Sequence, residues 1–151
     1  MRNLSALAAS IFLAFGCAGH GVSDETSQLD AALADQRAEN ARHERACELA
    51  VSMPDVLSDL SQHVQTMYSH MERMNHSMGE MSSCVSGESS RFAGELSNLR
   101  IELDDHVSRL SAAPDLAAAH HECIRHAPMM SEALNAMRTE LRRTSCWMMD
   151  H

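Results

Sequence analysis

Apolar residues recur at alternating steps of three and four along most of this chain, the spacing that lays one apolar stripe along an α-helix. The clearest run covers 54–85, where Leu57, Leu60, Val64, Met67, Met71, Met74, Met78, Met81 and Val85 keep the rhythm. Ser52 with Asp55 forms a capping box ahead of it, and Pro54 suits a first turn. Beyond the loop Ser86-Gly87-Glu88-Ser89, a helix over 89–111 carries the seam Phe92, Leu96, Leu99, Leu103, His106 and Leu110. Ser111 to Ala113 make a short turn, and Pro114-Asp115 open a helix over 114–149, kinked at Pro128. Its seam is Leu116, His120, Cys123, Ala127, Met130, Leu134, Met137, Leu141 and Met148. An earlier helix over 24–51 is rich in Ala and Glu, but its seam turns polar midway: Leu29, Leu33, Gln36, Asn40, His43, Cys47, Ala50. Short connections make neighbours antiparallel, so the pattern predicts an all-α, antiparallel four-helix bundle. An oligomeric coiled coil built on a kinked first-plus-second helix is the alternative.

Composition narrows the function classes. The 151 residues suit one domain, and six Gly with 3% aromatic residues argue against a sandwich or barrel. All basic residues are Arg, 12 against 21 acids, for a net charge of −9. Arg142-Arg143 is the only basic doublet, so nucleic acid is not an expected partner. No Gly-x-Ser-x-Gly elbow, phosphate loop, dinucleotide fingerprint or Cys-x-x-Cys-His haem motif occurs, and no enzyme activity is expected. The unusual part is 12 Met, 10 His and 5 Cys.

The start of the chain has the form of an address. One charge at Arg2 precedes the apolar run Leu4–Phe15, too short for a permanent membrane span, which ends in Ala14-Phe15-Gly16-Cys17. This resembles the bacterial lipoprotein signal, in which a small residue precedes a lipidated cysteine. The resemblance implies a signal peptide over 1–16, lipidation at Cys17, a tether over 17–26 and a bundle domain over 27–151. Ala18 after the cysteine implies the outer membrane, facing the periplasm. The membrane would then be one partner, with a second copy or another protein as a further one. An ordinary secretory signal with an incidental Cys17 is the alternative. Cys47, Cys84, Cys123 and Cys146 remain, an even number that favours disulfides in an oxidising compartment.

Depth below the turns sorts these cysteines and the histidines. Counted at about 1.5 Å per residue from the turns at 52 and 111–114, His43, Cys47, His63, His106, His120 and Cys123 fall within about 6 Å of one level. The same count pairs Cys47 with Cys123 and Cys84 with Cys146, because the other pairings would span most of the bundle.

Two chemistries follow from these positions. Imidazole and thioether suit copper, and imidazole with thiolate suits zinc or copper. One candidate metal group is His43, His63, His106 and His120, with Cys47 and Cys123 available only when reduced. The other lies in Met74-Asn75-His76-Ser77-Met78-Gly79-Glu80-Met81, which resembles a single copy of the Met- and His-rich repeats of periplasmic copper-resistance proteins. That resemblance implies ligands at Met74, His76, Met78 and Met81; the plainer reading is that these methionines fill a core. Five histidines also carry an acid four residues earlier: Glu39/His43, Asp59/His63, Glu72/His76, Glu102/His106 and Glu122/His126. Such carboxylates either favour imidazolium, making a proton-responsive module, or orient metal-bound imidazoles. A purely structural coiled-coil lipoprotein is a third possibility. A weak internal echo places His43/Cys47 and His120/Cys123 at comparable points of the two halves.

Overall fold

The computed structural model describes residues 19–81 and 88–149 of the chain. Four helices follow in order: α1 (Gly19–Leu49), α2 (Met53–Met81), α3 (Glu88–Ser111) and α4 (Leu116–Met149). No strand occurs among the described residues. The two described turns are made by the local chemistry that the sequence offers. Ser52 Oγ accepts a bond from the Asp55 N–H at 3.4 Å and donates to the Asp55 carboxylate at 2.6 Å, which starts α2. Asp115 accepts from the Ala118 N–H at 2.9 Å, which starts α4 two residues later than the sequence reading placed it. Helix α4 runs through Pro128, which sits on the exposed face.

The helices form an antiparallel bundle in which α1 packs on α2 and α4, and α3 on α4 and α2. Paired cross-helix bonds fix the directions: going back along α1 from Asn40 to Arg37, the α4 partner moves forward from Ala127 to Asn135, and Tyr68 of α2 bonds Asp104 of α3. Two apolar clusters fill the interior. The larger includes Leu29, Leu33, Met67, Met74, Leu99, Met130 and Met137; the smaller, beside the two turns, includes Cys47, Val56, Leu60, Leu110, Ala119 and Cys123. Between them lies a polar layer containing the fully buried His43, His63, His106 and His126.

The two halves repeat each other at an offset of 63 residues, the separation of His43 from His106. Many core positions correspond, Leu29 with Phe92, Leu33 with Leu96, Met67 with Met130, Met71 with Leu134 and Met74 with Met137, while the buried polar Gln36 and Asn40 stand where the second half has Leu99 and Leu103. The polar layer obeys the same offset, Glu39/His43/Asp59/His63 matching Glu102/His106/Glu122/His126. This repeat replaces the Cys-based echo expected from the sequence, because Cys47 corresponds to Leu110 and Cys123 to Leu60.

No described helix is long and apolar enough to cross a membrane. Cys17, Cys84 and the side chain of Cys146 lie outside the described residues, and with them the leader, the lipidation site and the second disulfide.

Candidate metal centre

Each helix contributes one histidine to the layer, and each hairpin supplies its own carboxylates. The pairing is crossed. His43 Nδ1 of α1 meets Asp59 of α2 at 2.6 Å, while His63 Nδ1 of α2 meets Glu39 of α1 at 3.0 Å. In the second hairpin His106 Nδ1 meets Glu122 at 3.1 Å and His126 Nδ1 meets Glu102 at 3.2 Å. Both pairs in the first hairpin centre on residue 51, and both in the second on residue 114. Helix register alone therefore brings every acid opposite a histidine of its neighbour.

One arginine per hairpin ties the carboxylates together. Arg42 binds Glu39 at 2.7 and 2.8 Å and also reaches Asp59. Arg125 binds Glu122 at 2.7 and 2.8 Å and reaches Glu102 at 2.9 Å. Burial would raise the Glu39 carboxyl, but bonds from Arg42 and His63 outweigh it and hold the group below its ordinary range. The same opposition, burial against Arg42 and His43, lowers Asp59, and burial against Arg125 and His106 lowers Glu122. Burial drives the imidazoles down in turn. His63 falls to about 3, with His43 adding repulsion. His106 falls to about 4 in spite of its bond to Glu122. His43 and His126 shift the same way, burial again leading. The rings are thus neutral at pH 7.

A carboxylate only accepts, so in each neutral ring the proton sits on Nδ1 and the Nε2 lone pair is left free. His43 Nε2 and His106 Nε2 then confront each other at 3.0 Å with no proton between them. His63 Nε2 and His126 Nε2 are buried without a hydrogen-bond partner. Within each hairpin the rings stack, His43 on His63 at 4.0 Å and His106 on His126 at 3.7 Å, and between hairpins they meet edge to face at 5.3 to 6.4 Å. Cys47 Sγ lies 3.6 Å from His43 Nε2. The ligand atoms of His43, His106 and Cys123 all lie within 4.8 Å of one another, a buried group that can hold a metal ion. Cys123 is joined to Cys47 by the expected disulfide, with Cα atoms 6.3 Å apart.

The sequence-predicted ligands divide. His43, His63 and His106 come together as expected, but the fourth ring of the layer is His126 and not His120. His120 is half-buried and lines a cavity over the disulfide instead. Depth does not separate the two, since residue 114 is itself the midpoint of the hairpin; the buried face does, because it runs through Ala119, Glu122, Cys123, His126, Ala127 and Met130 and leaves His120 at its edge. The Glu122/His126 spacing was the signal that could have found it. In the methionine segment, Met74 and Met81 are buried in the larger apolar cluster, Met78 is half-buried against it and His76 is exposed. None of these four joins the histidine layer.

Compared with known proteins, the chain matches no family model, no curated protein and no solved structure.

Proposed function

We propose that this chain is an envelope-anchored helical lipoprotein that holds a divalent transition ion, zinc or copper, in its four-histidine layer. The observation that carries the reading is the face-to-face approach of two unprotonated Nε2 atoms, His43 and His106, beside two further Nε2 atoms with no partner. Buried lone pairs set against one another cost free energy unless something electropositive sits between them. An ion does so.

Size, charge and the surrounding bonds agree. His43 Nε2 and His106 Nε2, 3.0 Å apart, lie within the span of one ion bonded to both at about 2.0 Å, while His63 and His126 stack on these two rings. Glu39, Asp59, Glu102 and Glu122 against Arg42 and Arg125 leave two negative charges around four neutral rings, which a divalent ion balances. Every Nδ1–H is already fixed by a carboxylate, the arrangement that orients and strengthens imidazole ligands. Imidazole donors suit zinc and copper alike. Anchoring at the envelope rests on the resemblance of residues 1–17 to the lipoprotein signal and would retain the ion there for storage, sensing or delivery.

A proton is the competing occupant of the same gap, and it defines the pH-responsive alternative. The two readings give opposite pH dependences. Oxidised protein at neutral pH, titrated with Zn(II) and Cu(II) by calorimetry, should bind one ion per chain with affinity tighter than about micromolar, released on acidification. His43→Ala together with His106→Ala should abolish it. No uptake of either ion by the folded, oxidised protein removes the proposal.

A further inference from the structure

The disulfide beside the histidine layer is in a place where packing does not require sulfur. At the offset of the internal repeat, the opposite flank presents Leu60 and Leu110 where this flank presents Cys123 and Cys47. Hydrocarbon fills one side and a cystine the other. Yet the two sulfurs lie within ligand reach of the layer: Cys123 Sγ belongs to the group with His43 and His106, and Cys47 Sγ is 3.6 Å from His43 Nε2. A cavity of about 220 Å³, bounded by Glu44, Glu48, His120 and Ile124, opens over the pair.

We propose that Cys47–Cys123 is a masked metal ligand, and that reduction releases Cys123 to join His43 and His106 in a nitrogen–sulfur site for Cu(I). The inference rests on the reading of the histidine layer as a metal centre. In the oxidised chain both sulfurs are spent on each other and the donors are imidazoles alone. A dithiol small enough for the cavity attacks one sulfur, forming a mixed disulfide and releasing the other as thiolate. Its second thiol then closes the reductant's own disulfide. Two electrons pass from the dithiol to the protein, and two protein thiols result. When Cu(I) binds, the Cys123 thiol gives its proton to solvent and the thiolate, a soft donor, selects the monovalent ion.

Cobalt(II) reports sulfur ligation directly through its sulfur-to-metal charge-transfer absorption. Oxidised wild type should take up Co(II) without that band. The band should appear after reduction with a phosphine and removal of excess reagent, and in Cys47→Ser without any reductant. It should be absent from the double variant Cys47→Leu with Cys123→Leu, which copies the opposite flank and so preserves the packing. Cu(I) retention against a chromogenic chelator should rise about tenfold or more in reduced wild type relative to that double variant. Co(II) uptake by oxidised wild type, with no sulfur band in either Cys47→Ser or the reduced protein, overturns the inference while leaving the histidine site standing. The reverse pattern, a sulfur band in Cys47→Ser with no uptake by oxidised protein, supports the thiolate site and removes the all-imidazole one.

Discussion

At the scale of single residues, a histidine in this layer has one nitrogen spoken for and one in want of a partner. The acid at Nδ1 decides the tautomer, so removing its charge should weaken the ion without touching a ligand. Glu122→Gln or Asp59→Asn is expected to lower Zn(II) affinity about 10- to 100-fold, read by competition with a chelator of known affinity. Identical affinity in both variants would mean that the carboxylates only build the core. Which acid serves which ring was half legible in the sequence. The acid–histidine spacing of four marked all the participants, but within one helix it suggested Glu39 for His43 and Asp59 for His63. Stacking two antiparallel helices exchanges these partners, because His43 is level with Asp59 and His63 with Glu39.

Elements divide by the kind of surface they bury. Helices α2, α3 and α4 were legible from periodic apolar seams alone, since a continuous apolar stripe has few ways to be satisfied. Helix α1 was harder because Gln36, Glu39, Asn40 and His43 interrupt its stripe, and all four are buried. Their partners lie on other helices: Gln36 donates to the Met67 carbonyl at 3.4 Å and Asn40 to the Ala127 carbonyl at 3.0 Å. No single-helix pattern shows such partners. The methionine row of α2 poses the converse problem, since thioethers serve equally as ligands and as filler. Met74 is fully buried among Leu and Met side chains, which decides for filler here. Met74→Ala should cost about 2–5 kcal/mol in urea unfolding and leave the Zn(II) affinity of the folded protein unchanged. A loss of binding would return the Met74–Met81 segment to the ligand set.

For the whole molecule, acid is the sharpest test of the metal-free state. Imidazoles held below their unfolded value of about 6.5 contribute stability that is complete above that pH and is lost as pH falls toward 4. Each such ring should lose about 1.4 kcal/mol per pH unit over that window, and the depressed Glu39, Asp59 and Glu122 add the same trend below about pH 4.5. Urea midpoints of metal-free protein should fall accordingly, with a shallower slope in His126→Leu; a midpoint that rises with acidification would show the rings charged in the fold. Reduction should destabilise the metal-free bundle as well. The disulfide closes a sequence separation of 76 residues, worth roughly 4 kcal/mol by chain entropy, so a phosphine should shift the unfolding curve to lower urea.

The recurrence of one hairpin 63 residues later leaves the two sides of the cage free to differ. Two separate copies of a single hairpin, meeting about a dyad, already place four imidazoles around one point, but such a dimer must wear the same side chains on both flanks. In one polypeptide a cystine can occupy one shoulder while leucines keep the other. The lopsided shoulder is a freedom that a single chain has and a two-fold pair of identical hairpins lacks.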